Sequence, residues 1–134
     1  MAIRNDYLQD MIARFVEAVL RGIGRLKDGA IEEGVAAYEQ VVGDVLDMDS
    51  QTALALSPAS LVTMMQISAV DDRLAAYAAY CLGRIADACE GRPGGLAGVR
   101  REQARAIEAA YGIEPGTVPP EVQAALDAHE GAGA

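Results

Sequence analysis

The chain has no tryptophan, one phenylalanine, one histidine and one lysine. Each scarcity excludes something. With aromatics at 4% of residues, the core must be built from Ala, Leu, Val, Ile and Met, and so much alanine favours helices over sheets. The lone histidine, His129, sits beside a Gly/Ala-rich tail, so a Ser–His–Asp or Cys–His catalytic arrangement has little to work with. Cys81 and Cys89 are eight residues apart. On one helix that is about 12 Å along the axis, too far for a disulfide or a shared metal ion. Both fall on an apolar stripe and read as small buried hydrophobes. The glycines between Gly91 and Gly98 lack the Lys-Ser/Thr ending and the preceding strand of a phosphate-binding loop, so they read as a helix–helix turn. No apolar run approaches the roughly eighteen residues of a membrane span. The first residues lack the apolar segment of a secretory signal, which predicts a cytoplasmic protein with reduced thiols. Nothing in the chain implies a cofactor or a metal.

What is present is acid and helical periodicity. The formal net charge is −9. Such a balance repels phosphate backbones and anionic lipid surfaces, so neither nucleic acid nor a membrane is an expected partner. Asp28, Glu32, Glu33, Glu39, Asp44, Asp47 and Asp49 follow one another with no intervening base. They read as a solvated helix face, with a docking surface for a basic partner as the sharper alternative.

The organising stretch is residues 5–27, with Asn5 as the expected N-cap. Leu8, Ile12, Phe15, Val19, Ile23 and Leu26 recur at helical spacing. Met11 widens the stripe on one flank, Val16 and Leu20 on the other, so the apolar arc spans about 180° and wants packing partners on two sides. Lys27, Asp28 and Gly29 stop the helix. A second helix, about 30–47, carries Ile31, Val35, Tyr38, Val42 and Val45 on one face. Residues 51–56 read as one helical turn or a loop. Ser57 and Pro58 start a third helix to about 68, as N-cap and first-turn proline. Asp71 caps a helix over about 72–90. Its core stripe is Leu74, Ala78, Cys81, Leu82, Ile85 and Cys89, and its back carries Ala75, Ala76, Ala79, Gly83 and Ala86. So small a back predicts close helix contacts and a central position. A further helix runs to about Tyr111, with Arg100, Arg101 and Arg105 as the one locally basic patch. After a Gly/Pro-rich connection, Pro119 and Pro120 open a last short helix. One domain over 1–129 is expected, with 130–134 as a disordered tail.

One constellation points to binding. Arg73, Tyr77, Tyr80 and Arg84 lie at spacings of four, three and four on one flank of the 72–90 helix. Two guanidinium groups with two phenols between them suit a carboxylate or an extended acidic peptide. The structural alternative pairs the arginines with acids of the second helix and packs the rings.

Two passages carry a resemblance. Residues 29–41 resemble the second helix of a tetratricopeptide repeat, with Gly34 at a small position, Tyr38 at an aromatic one and Val41 at a second small one, where it is too large. Leu82 and Gly83 resemble the Leu-Gly pair of the first repeat helix, although no second 34-residue period appears. The opening, Ile3 to Leu8 followed by Met11 and Ile12, is similar to the start of a family of small bacterial proteins classed as a domain of unknown function. That resemblance implies tetratricopeptide-like hairpins behind a long first helix, and no catalytic residues.

The expectation is therefore an all-α domain of five or six helices in antiparallel hairpins, an irregular tetratricopeptide-like array. Its expected role is non-catalytic: a protein–protein interaction module, or a scaffold that self-associates through the wide first helix. The rival is a small-molecule enzyme or ligand-binding protein with no recognisable motif.

Overall fold

The computed structural model describes the backbone of residues 2–133 and the side chains of residues 6–128. Among the described residues there are seven helices and no strand: α1 (Ala2–Lys27), α2 (Ile31–Leu46), α3 (Ser50–Leu54), α4 (Pro58–Ile67), α5 (Asp72–Cys89), α6 (Leu96–Tyr111) and α7 (Pro120–Gly133). The count exceeds the expected five or six because the segment after Asp49 closes into its own turn of helix. The Asp49 carboxylate accepts the Thr52 N–H at 3.2 Å and so caps α3. Asn5 is not the N-cap of α1; the helix begins at Ala2, since none of the preceding residues opposes helix. The backbone of α7 is helical into the segment expected to be a tail, while its side chains from 129 onward, His129 included, lie outside the described residues.

The other start signals act through the atoms that make them signals. Ser57 accepts the Ser60 N–H at 3.2 Å with Pro58 at the first helical position, and Asp71 accepts the Arg73 N–H at 2.9 Å. Gly29 turns the chain after α1 at φ 82°, and Gly112 ends α6 at φ 66°, conformations that a β-carbon disfavours.

Two antiparallel hairpins form the body. In the first, Gly22 of α1 faces Tyr38 and Gly34 of α2, while Leu26, one turn on, faces Gly34. A β-carbon on Gly34 would stand 2.8 Å from Leu26 Cγ and 3.0 Å from the Gly22 carbonyl, so two glycines set how closely these helices cross. In the second, Arg101 near the start of α6 reaches Asp87 and Glu90 at the end of α5, at 3.3 and 3.1 Å. α5 joins the two hairpins, packing against α1 and α2 of the first as well as against its own partner α6. The rings of Phe15 and Tyr77 meet between α1 and α5 with centroids 5.7 Å apart. Val19, Val42, Ala78 and Leu82 have no solvent exposure.

The wide stripe of α1 is covered from three sides, by α2, α5 and α7. Leu8, Met11, Ile12, Phe15 and Val19 are buried; Val16, Leu20 and Ile23 stay half-exposed. At the far end of α2, Asp47 adopts a left-handed conformation and the Met48 N–H bonds the Gly43 carbonyl at 3.0 Å. This closure folds residues 48–50 back onto Gly43, where a β-carbon would meet only backbone atoms. No helix among the described residues is long and apolar enough to cross a membrane.

Candidate functional site

The flank nominated on α5 divides in the folded chain. Tyr77 is enclosed, at 1% exposure. Its ring packs on Phe15 and its hydroxyl donates to Glu121 of α7 at 2.8 Å. Burial first, and then the neighbouring Glu121 carboxylate, raise its pKa far above the ordinary phenol value. Arg73 is exposed and turns back to Asp71 at 3.1 Å. Tyr80 and Arg84 are half-exposed and border one cleft between α5 and α6. The four residues therefore fall into two pairs: Tyr80 and Arg84 meet in the cleft, while Arg73 and the core-packed Tyr77 line a separate hollow beside Pro119 and Glu121.

The cleft has a volume of about 350 Å³, within the range of ligand pockets, about 300–1,000 Å³. One wall is α5, through Ala79, Tyr80, Gly83, Arg84 and Asp87. The opposite wall is α6, through Arg101, Ala104, Arg105 and Glu108. The loop at 116–118 and Leu126 of α7 complete the lining. Glu108 organises this end. Although only 6% exposed, its carboxylate receives the Arg105 guanidinium at 2.8 Å and the Gly116 N–H at 3.0 Å, tying the loop to α6.

The lining carries three guanidinium groups against two carboxylates. Arg101 is held by Asp87 and Glu90, and Arg105 by Glu108. Arg84 makes no ion pair among the described residues. Its Nε donates to the Tyr38 hydroxyl at 3.5 Å, at the limit of hydrogen-bond distance, and its guanidinium carbon lies 6.0 Å from the Tyr38 ring centroid. Desolvation raises the pKa of Tyr80 and of Tyr38, so neither phenol supplies a negative charge to Arg84 near neutrality. The arginine pairing with α2 acids weighed from the sequence is thus replaced by a phenol contact.

Arg100, grouped by sequence with Arg101 and Arg105, has a separate role. It is 8% exposed and faces the other side of α6. Its Nη1 donates to the Leu54 carbonyl at 3.1 Å and to Gln103 Oε1 at 3.0 Å; Gln103 Nε2 donates to the carbonyls of Leu54 and Leu56 at 3.1 and 2.8 Å. These side chains satisfy carbonyls left open where α3 ends, a structural duty. Cys81 is buried, which pushes its thiol pKa well up, and Cys89 is partly buried. No group of three His, Cys, Asp or Glu side chains that could hold a metal ion occurs among the described residues.

Sequence reasoning reached Tyr80 and Arg84 but did not connect them with Arg101, Arg105 and Glu108. The signal available was the basic patch itself. Arg101 and Arg105 share a helix face four residues apart, and an antiparallel neighbour was expected. Which face turns toward α5 is a matter of packing. Comparison of the chain with family models, curated proteins and solved structures finds no match, so the functional reading rests on the cleft.

Proposed function

We propose that this protein is a non-catalytic interaction module that receives a carboxylate of a partner protein in the α5–α6 cleft, with Arg84 as the anchor. The observation that carries this reading is the state of Arg84: a half-buried guanidinium at the edge of a cleft that makes no ion pair among the described residues, its nearest carboxylate influence being Asp87, which Arg101 holds. A carboxylate arriving there replaces a long phenol contact with a charge-assisted bond, worth about 1.5–3 kcal/mol. Tyr80 offers a hydroxyl and a ring edge beside it. Arg101 and Arg105 keep their intramolecular partners and add positive potential on the far wall.

The same proposal includes the architecture. The hairpins of α1 with α2 and of α5 with α6 are read as an irregular tetratricopeptide-like array. Supporting this are Gly34 and Tyr38, which face α1 as the small and aromatic positions of a second repeat helix would.

The test is fluorescence anisotropy with labelled peptides that are rich in Asp and Glu and end in a free carboxylate. Binding should weaken with added salt and fall at least about tenfold in Arg84→Glu. The melting temperature should hardly move, because the Tyr38 contact is long. Equal binding by wild type and variant would show that Arg84 is not the anchor, and unfolding of the variant alongside the loss would show that the arginine is structural.

A further inference from the structure

The cleft contains a residue whose presence the fold does not require. Gly83 lies in the interior of α5 with helical backbone angles, where glycine is a poor choice. Gly22, Gly34 and Gly43 have a packing reason, since a β-carbon there would stand 2.8–2.9 Å from its nearest neighbour, whereas Gly24 and Gly98 have as much room as Gly83 but lie outside the cleft. A β-carbon on Gly83 would meet nothing within 4 Å. Its missing side chain is space that belongs to the cleft.

That space adjoins Arg84 and is bordered by small or apolar groups. Ala79 lies one turn earlier on the same wall, Ala104 is on the facing helix, and Val118 and Leu126 are on the loop and α7 side. The cleft thus offers an apolar slot floored by bare helix backbone beside a guanidinium that makes no ion pair among the described residues. A matching ligand carries a carboxylate next to an apolar group. An internal Asp or Glu holds its carboxylate at the tip of a side chain with nothing apolar beyond it. The last residue of a polypeptide holds an α-carboxylate and its side chain on the same carbon.

We infer that Gly83 is the specificity-determining position of the cleft, and that the group it admits is the carboxyl terminus of a partner chain ending in an apolar residue. This rests on the carboxylate-binding reading of Arg84 and narrows it. The Glu108 carboxylate holds Gly116 and with it the 116–118 loop against the cleft, a fixed wall that suits a chain end.

The experiment uses fluorescein-labelled Gly-Ser peptides ending in leucine or in glycine with a free carboxylate, and the leucine peptide as its amide. The wild type should prefer the free leucine end over the other two by about tenfold. Gly83→Leu should bind the leucine and glycine ends equally, whereas Arg84→Gln should weaken both. Should Gly83→Leu fail to fold, Gly83→Ala serves in its place; it should melt about 3–5 °C above wild type and still show a reduced preference for leucine. If Gly83→Leu and Gly83→Ala keep the wild-type preference while Arg84→Gln loses binding, the slot assignment is overturned and the carboxylate site stands. If Arg84→Gln binds as wild type does, or no peptide binds, both fall. If free 4-methylpentanoate displaces the leucine peptide mole for mole, the ligand is a small carboxylate and the chain-end assignment is wrong.

Discussion

Replacing Gly43 with alanine isolates one backbone approach from everything else in the fold. In an open helix position the change stabilises by about 1 kcal/mol, because alanine is the better helix former. At Gly43 the added carbon would lie 2.9 Å from the Met48 carbonyl oxygen, 2.9 Å from Ser50 Cα and 3.0 Å from Ser50 N. All three are backbone atoms, so no rotamer change relieves them. Overpacking of this kind costs about 1–3 kcal/mol, and the upper end applies when nothing flexible can give way. Moving residues 48–50 outward also strains the Met48 N–H bond to the Gly43 carbonyl and the Asp49 cap of α3. The net expectation is a loss of about 2 kcal/mol, a large share of the roughly 5–15 kcal/mol of a typical domain. Gly83→Ala, the same chemical change in open space, should gain about 1 kcal/mol. Urea unfolding followed by far-UV circular dichroism measures both, with m-values expected to be equal. A Gly43→Ala protein as stable as Gly83→Ala would refute the close approach of α3 to α2.

Two other predictions concern buried polar groups. Gln103→Leu removes the donor to the carbonyls of Leu54 and Leu56 and the acceptor for Arg100. Leaving those groups buried without that partner should cost about 3 kcal/mol, lowering the melting temperature by about 10 °C in calorimetry; a change under about 2 °C would mean that the node is solvated. Tyr38, Tyr77 and Tyr80 all have raised pKa values, with desolvation as the leading cause in each. Above about pH 10 the unfolded chain loses protons that the folded chain keeps. Their contribution is therefore intact below that pH and declines as pH rises further. In an alkaline titration the phenolate absorbance of the fully buried Tyr38 and Tyr77 should appear together with loss of helix; their ionisation while the circular dichroism stays native would contradict their burial.

How much of the fold was legible depends on whether a local group decided the matter. Ser57 with Pro58, and Asp71, marked helix starts because their side chains bond the first free N–H groups of the same helix. Asn5 misled because an N-cap signal operates only where the preceding residues leave the helix, and Ala2 to Arg4 do not. The α3 turn was left between two readings because a five-residue helix has almost no periodicity to display; its Asp49 cap was the available clue. On α5, the spacing of Arg73, Tyr77, Tyr80 and Arg84 put them on one flank, but tertiary packing divided that flank between two hollows. Phe15 and Glu121, which enclose Tyr77, come from opposite ends of the chain.

The order of amino acids determined by itself that this chain is helical, where most helices begin and end, and which stripe of each is apolar. Those properties arise from contacts within a few residues: side chain to backbone at the caps, and i to i+3 and i+4 along a face. Tertiary structure alone decided which of the cleft arginines makes no ion pair and which helical glycine with open space borders the cleft. Arg84, Arg101 and Arg105 are equivalent as letters. They differ because two of them lie within reach of carboxylates on α5 and α6, while the third meets the Tyr38 hydroxyl of α2. Gly34, Gly43 and Gly83 likewise differ only in what the rest of the chain brings against them.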